Sequence, residues 1–161
     1  MAELLIIYHS RTGGSLQMAQ AAHEAAGQEV STRILRACDV EPEDLRAASG
    51  YLFVAPENLA ALSGEMKEMF DRCYYPLLGQ IEGRPYAQMI CAGSDGQGAV
   101  RQLARIATGW RLREVQPPVV ICTHADSPKA ILAEKTLTAG QLTPCRALGT
   151  ALGAGLAMGI F

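Results

Sequence analysis

The feature that most constrains the fold is a short apolar run that stops abruptly at a polar loop containing two glycines. Leu4–Tyr8 has the composition of a buried strand, and His9–Ser15 supplies hydroxyls, one arginine and the glycines. An alanine-rich helical pattern follows over Gly14–Ala26, and Gly27 predicts its end. Such a turn presents free backbone N–H groups and the positive end of the helix dipole. This succession of strand, glycine-containing loop and helix therefore predicts an α/β fold and a candidate phosphate-binding turn.

Further apolar runs alternate with helical patterns along the chain, which predicts a parallel sheet with helices on both faces. With Leu4–Tyr8, the predicted strands are Glu29–Leu35, Tyr51–Ala55, Pro85–Ala92 and Val119–Thr123. Predicted helices follow at Gly14–Ala26, Pro42–Ala48, Met66–Tyr74 and Val100–Ala107. At 161 residues and without a visible linker, we expect the chain to form a single domain.

The start of the last helix has two interpretations. Thr138 and Gln141 resemble a capping box, which would leave Pro144 inside the helix. Thr143 is an alternative cap that puts Pro144 at the first helical position, where proline is tolerated. We favour the second interpretation because it avoids a proline in the helix interior.

Three unusual loops follow the first, third and fourth predicted strands. They comprise residues 9–15, 56–62 and 93–98. Sheets of this kind bind ligands outside the carboxyl ends of their strands. Because each loop leaves a carboxyl end, we expect all three to converge on one ligand.

The first loop differs from several common phosphate-binding motifs. It lacks a following Gly-Lys-Ser/Thr, a G-x-G-x-x-G pattern and a preceding cysteine. What remains, Ser10-x-Thr12-Gly13-x-Ser15, resembles the flavodoxin phosphate loop of hydroxyl-x-Thr-Gly-x-hydroxyl. The resemblance implies that the three hydroxyls donate to phosphate oxygens, while Gly13 and Gly14 let the backbone approach the ligand closely.

Residues 55–72 carry the most specific similarity. The segment contains a proline-led loop, then Ser63-Gly-Glu-Met-Lys and Met69-Phe-Asp-Arg, with Ser63 positioned to cap a helix. It resembles the loop and helix after the third strand in flavin reductases of the flavodoxin fold. The chain therefore resembles the NAD(P)H-dependent FMN reductase and quinone oxidoreductase branch, the tryptophan-repressor-binding-protein-like enzymes. The resemblance implies a flavodoxin-like three-layer sandwich, with a five-stranded parallel sheet in the order 2-1-3-4-5.

The same resemblance implies FMN as cofactor, NAD(P)H as electron donor and a quinone, flavin or other small acceptor. The candidate FMN-binding residues are His9, Ser10, Arg11, Thr12, Gly13, Gly14, Ser15, Pro56, Glu57, Asn58, Leu59, Ala60, Gly93, Ser94, Asp95 and Gly96. The backbone of 57–60 would face the flavin ring, and Asp95 would accept a hydrogen bond from the flavin or its ribityl chain. His9 either contacts the ligand or packs the loop, and Arg11 either neutralises the phosphate or faces solvent. No protein acid or base is assigned, because the flavin carries the electron chemistry.

Charge and composition restrict the classes of partner and the cellular compartment that we expect for this chain. The formal net charge is −2 and no Lys/Arg block is present, so we expect no nucleic-acid partner. No apolar stretch reaches the ~20 residues that span a bilayer, and we expect no membrane partner and no secretory signal. The five cysteines form no CxxC pair, which predicts reduced thiols of a cytoplasmic protein and no metal site.

Two other functions stay open. A flavodoxin-type electron carrier is one, although carriers that dock through charge are usually more acidic than −2. A flavin-free interaction module is the other, because loops 56–62 and 93–98 contain no Tyr or Trp to stack on a flavin. The apolar, small-residue stretch Gly149–Gly159 predicts one face on the sheet and favours a homodimer through the other.

Overall fold

The computed structural model describes residues 1–161 and contains seven strands and six α-helices. The strands are β1 (Glu3–Tyr8), β2 (Ser31–Arg36), β3 (Gly50–Asn58), β4 (Ala61–Leu62), β5 (Pro85–Ala92), β6 (Arg113–Glu114) and β7 (Val119–Cys122). The helices are α1 (Gly14–Ala26), α2 (Pro42–Ala47), α3 (Gly64–Leu77), α4 (Gln97–Gly109), α5 (Pro128–Leu132) and α6 (Ala139–Ala157). A short 3-10 helix at Ala37–Asp39 follows β2.

The main sheet is parallel and has the order β2-β1-β3-β5, with β6 and β7 sharing the far edge of β5. The predicted order 2-1-3-4-5 is therefore confirmed, with β5 and β7 as the fourth and fifth predicted strands. The edge position beside β5 is shared with a further short strand, since β6 pairs with the start of β5 and β7 with its end. Pro117 and Pro118 lie in the gap, and a proline has no N–H to donate to the sheet.

Each face of the sheet has its own apolar core, because successive strand residues point to opposite faces. Leu5, Ile7 and Phe53 belong to the core shared with α2, α3 and α4. Leu4 and Ile6 belong to the core shared with α1 and α6. Because helices cover both faces of the sheet, β1 and β3 contain continuous apolar runs, as is typical of buried parallel strands.

The prediction for the start of α6 was wrong. The helix begins at Ala139, and Pro144 lies inside it. The Thr138 hydroxyl accepts from the Gln141 N–H at 3.1 Å, and the Gln141 side chain accepts from the Thr138 N–H at 2.9 Å. This capping box satisfies two N–H groups that otherwise have no helical partner. It offsets the one hydrogen bond that Pro144 removes.

Glycines on α6 allow it to approach α1 of the same chain. A Cβ on Gly149 would lie 2.3 Å from the Ala22 carbonyl oxygen, and one on Gly153 would lie 3.0 Å from the Ala26 carbonyl oxygen. Gly149 and Gly153 therefore serve a contact within the chain. None of the helices, α6 included, combines the length and apolar character needed to cross a bilayer.

Candidate functional site

The turn between β1 and α1 has the geometry of an anion site. Gly13 precedes the helix with a φ of 97°, a left-handed conformation that glycine adopts without steric cost. Its N–H donates to the Ser10 hydroxyl at 3.2 Å, which tightens the turn. The first turn of α1 carries no acidic residue, so the positive end of the helix dipole is not offset.

The side chain of Ser15 is the clearest sign of a ligand in this turn. Ser15 is 2% exposed, and its hydroxyl has no hydrogen-bond partner in the protein. A buried polar group left unsatisfied costs about 1–3 kcal/mol, so such groups call for an explanation. Ser15 is the second residue of α1, where phosphate oxygens are bound in other proteins. The residues present therefore fit a phosphate group.

His9 is buried at 6% exposure and is held by partners from α3. Its Nδ1 shares a 2.8 Å hydrogen bond with the Ser63 hydroxyl, and its Nε2 lies 3.6 Å from Glu65 Oε2. Ser63 stands at the predicted N-cap position of α3, but its hydroxyl bonds to His9 and not to the helix. Burial lowers the pKa of His9, and the Glu65 carboxylate opposes that effect. These contacts favour the loop-packing role over contact with a ligand.

The second loop is a hairpin and not the irregular segment that the sequence indicated. β3 runs on to Asn58 and turns back through Leu59 and Ala60 into β4. Leu59 and Ala60 have φ values of 53° and 60°, which cost about 1–2 kcal/mol each for residues with a Cβ. Leu59 is fully exposed at the tip. Strained backbone of this kind is concentrated at functional sites, which keeps the hairpin a candidate.

The Glu57 side chain joins the second loop to the third. Its Oε1 accepts from the Gly96 N–H at 2.9 Å, and its Oε2 accepts from the Ala99 N–H at 3.1 Å. A Cβ on Gly98, in the first turn of α4, would lie 2.0 Å from the Ala60 carbonyl oxygen, so the hairpin touches the helix that follows the third loop. The carboxylate thus caps α4, and the anion position at that helix start is taken by the protein itself.

The third loop, predicted over residues 93–98, ends at Gly96 because α4 begins at Gln97, and it stands beside the end of β7. The Gly93 carbonyl accepts from the His124 N–H at 2.8 Å, which ties this loop to the residues after β7. Gly96 caps α4 with a φ of 86°. Ser94 and Asp95 are exposed, and neither side chain has a hydrogen bond within the protein. Their side chains are therefore free to meet a ligand at the edge of the sheet.

All three predicted loops leave the same edge of the sheet. Tyr8 pairs with Val54, and Pro56 pairs with Cys91, so the strands end side by side. A cleft of about 390 Å³ opens against the outer side of the first loop, lined by Tyr8, Ser10, Arg11, Thr12, Gly13, Leu16, Arg36, Leu132 and Glu134. Arg11 is exposed and has no ion pair, so its charge is available to an anion.

One part of the site has no recognisable pattern in the amino-acid sequence. Residues 127–137, between β7 and α6, cross the first loop. The Lys135 N–H donates to the Thr12 carbonyl oxygen at 2.7 Å. Ser127 followed by Pro128 is a helix-start pattern and marks only the short α5. Nothing in the local pattern reveals that the segment folds back over a loop more than a hundred residues earlier.

Comparison with known proteins identifies the family of the chain. Residues 3–126 match the model of the NADPH-dependent FMN reductase family. A flavodoxin from Aquifex aeolicus (strain VF5) is 32% identical over 102 residues, which are 61% of this chain and 54% of that protein. The chain thus spans about half the length of this curated relative.

Solved structures share the fold. An archaeal flavodoxin superposes with a TM-score of 0.77 at 15% identity, covering 96% of this chain and 98% of its own. The flavodoxin, WrbA-like protein from Agrobacterium tumefaciens gives 0.72 at 18% identity, with 98% and 99% covered. Identities this low establish a common fold only. With its flavodoxin-like sheet and a family match over residues 3–126, the chain belongs to the NADPH-dependent FMN reductase family.

Proposed function

We propose that this protein binds FMN and passes electrons from NAD(P)H to a quinone, a flavin or another small acceptor. The observation that carries the proposal is the buried Ser15 hydroxyl, which has no partner at the start of α1. It lies in a hydroxyl-rich turn of a chain whose family is that of the NADPH-dependent FMN reductases. A phosphate bound in this turn would satisfy the hydroxyl and meet the positive end of the helix.

The chain's own residues would bind and orient the cofactor. Ser10 accepts from Gly13 and keeps its own proton to donate, and Thr12 and Ser15 add two further hydroxyls. Gly14 keeps the turn against β5, since a Cβ there would lie 2.7 Å from Cys91 Sγ. These groups would hold the phosphate, while FMN when bound would supply the electron-transfer chemistry.

The flavin ring would be placed by the hairpin and the third loop. Pro56–Ala60 and residues 93–96 stand at the same sheet edge, and the Glu57 carboxylate fixes one to the other. The hairpin tip offers the exposed Leu59 as an apolar surface in place of an aromatic side chain. We expect a ring held mainly by backbone and aliphatic contacts, and hence a modest affinity.

A flavodoxin-type electron carrier is the second candidate, because the 32% identical relative is a flavodoxin. The net charge of −2 disfavours it, since a carrier that docks through charge benefits from a strongly acidic surface. Both candidates require the same FMN site, so they differ only in where the electrons come from and go.

Steady-state turnover separates the two candidates. Protein loaded with FMN is mixed with NADH or NADPH and a quinone or free flavin, and nicotinamide oxidation is followed. The oxidoreductase proposal predicts catalytic oxidation that depends on both protein and FMN. If FMN binds but neither nicotinamide is oxidised, the carrier is favoured; if no FMN binds, both candidates fail.

A further inference from the structure

A lysine from outside the phosphate-loop motif stands beside one of its hydroxyls. Lys135 Nζ lies 3.4 Å from Thr12 Oγ1, in the segment that crosses the turn. The Lys135 N–H also donates to the Thr12 carbonyl oxygen at 2.7 Å. Side chain and backbone therefore both contact the same loop residue. The ammonium group is fixed next to a hydroxyl that is expected to face the phosphate.

The lysine side chain is held in place by α5. Its Nζ donates to the carbonyl oxygens of Ala130 at 2.9 Å, Ile131 at 3.0 Å and Ala133 at 2.6 Å. These carbonyls lie at the end of a short helix, where they lack helical partners. Because the flexible side chain is already ordered by these contacts, little further ordering would be needed when an anion binds.

Gln17 on α1 fastens the lysine's backbone to the turn. Its Nε2 donates to the carbonyl oxygens of Gly13 at 2.9 Å and Lys135 at 2.7 Å, and its Oε1 accepts from the Leu137 N–H at 2.9 Å. One side chain thus bridges the turn and the crossing segment. The position of Lys135 relative to the start of α1 is set by the fold.

The charge of Lys135 has no anionic partner in the protein. No carboxylate lies within ion-pair distance of its Nζ; the four oxygens around it are three carbonyls and one hydroxyl. The neighbouring Glu134 is exposed and lines the cleft together with Arg11 and Arg36. A half-buried cation surrounded only by neutral oxygens gains most from a bound anion, and lysine is a common phosphate ligand.

We propose that Lys135 is a charged ligand of the cofactor phosphate and makes the site select phosphorylated flavin over riboflavin. The inference rests on the proposed FMN site and adds to it a residue that the loop motif does not contain. The three ammonium N–H groups of Lys135 already donate to three carbonyl oxygens, so one of them would exchange its carbonyl for a phosphate oxygen. A hydrogen bond between two charged groups contributes more than one between neutral groups, so the phosphate becomes the main source of selectivity.

The test compares FMN with riboflavin, which lacks the phosphate. Flavin fluorescence quenching gives both dissociation constants for the wild-type chain, Lys135→Met and the matched control Lys129→Met. Lys129 is an exposed lysine of α5 whose side chain has no hydrogen bond. We expect Lys135→Met to weaken FMN about tenfold or more, with riboflavin changed less than about twofold. The control should keep the wild-type ratio of the two constants.

If Lys135 had a purely structural role, its loss would weaken the binding of FMN and riboflavin alike, because loosening the segment 127–137 disturbs the whole turn. An unchanged FMN-to-riboflavin ratio in Lys135→Met therefore overturns the inference while leaving the proposed function intact. If the wild-type chain binds neither flavin, the proposed function itself fails. Should Lys135→Met not fold, Lys135→Gln carries the same test, since its amide keeps hydrogen-bond donors but has no charge.

Discussion

At the scale of single residues, we expect the Ser15 hydroxyl to lower the stability of the ligand-free protein and to strengthen phosphate binding. Its hydroxyl is buried without a partner, so in the ligand-free protein it lowers stability. We expect Ser15→Ala to leave the free energy of unfolding unchanged or raise it by up to about 1 kcal/mol. Denaturant unfolding without flavin measures this, with Ser31→Ala at an exposed position as the control. A loss of more than about 1 kcal/mol would mean that the hydroxyl has a partner within the fold.

His9 predicts a pH dependence of stability. Burial lowers its pKa in the folded state below the ordinary value of 6.5, with Arg36 and Arg11 acting in the same direction and Glu65 opposing them. The unfolded chain therefore takes up the proton first as the pH falls. The contribution of neutral His9 is complete above pH 6.5 and is lost below it.

We expect His9→Gln to flatten the loss of unfolding free energy between about pH 6.5 and 5. Urea unfolding across that range measures the slope, with His23→Gln as the matched control. Equal slopes for the wild type and His9→Gln would contradict the assignment of this proton to His9.

At the scale of elements, the contact between α1 and α6 depends on glycine. A Cβ on Gly149 would meet the backbone of Ala22, and backbone cannot move aside as a flexible side chain can. We expect Gly149→Ala to lower the free energy of unfolding by about 2 kcal/mol or more. Gly140→Ala is the control: its nearest neighbour would be 3.9 Å away, and gain of helix propensity should stabilise it by up to about 1 kcal/mol. Equal changes in stability for Gly149→Ala and Gly140→Ala, measured by thermal unfolding, would contradict this packing.

The start of α6 gives a second test at this scale. Thr138→Ala removes the hydroxyl of the capping box and should cost about 1 kcal/mol of stability. Thr143→Ala removes a hydroxyl inside the helix that bonds only to the Ala139 carbonyl, and should cost much less. If chemical denaturation finds the larger loss in Thr143→Ala, the helix begins later than the structure has it.

The sequence predicted the elements whose pattern lies in neighbouring residues and missed the contacts between residues that are distant in the chain. The strands β1 and β3 were predicted because burial on both faces leaves continuous apolar runs, and β5 because its run is apolar except for Gln88. The β3–β4 hairpin was not, because Leu59 and Ala60 at its turn are not residues that favour a left-handed conformation. The position of Lys135 was also missed, since it depends on contacts with Thr12 and Gln17 that are distant in sequence.

At the scale of the whole molecule, the three loops meet because the parallel sheet puts its carboxyl ends on one edge. The sequence predicted that all three loops leave this edge, and their convergence on one ligand stays a prediction. The structure adds the side chains that join the loops. The Glu57 carboxylate holds the third loop to the hairpin, and His9 holds the first loop to α3. A homodimer stays a prediction, and the α6 glycines no longer argue for it because they contact α1.

In the proposed function, the turn at the start of α1 holds the phosphate of FMN. Equilibrium titration of the ligand-free protein with FMN, followed by fluorescence quenching, tests it most directly when wild type and Ser15→Ala are compared. We expect saturable binding by the wild type and an affinity about tenfold lower in Ser15→Ala, although that variant is at least as stable. No saturable binding by the wild type, or equal affinity in the two proteins, would contradict it.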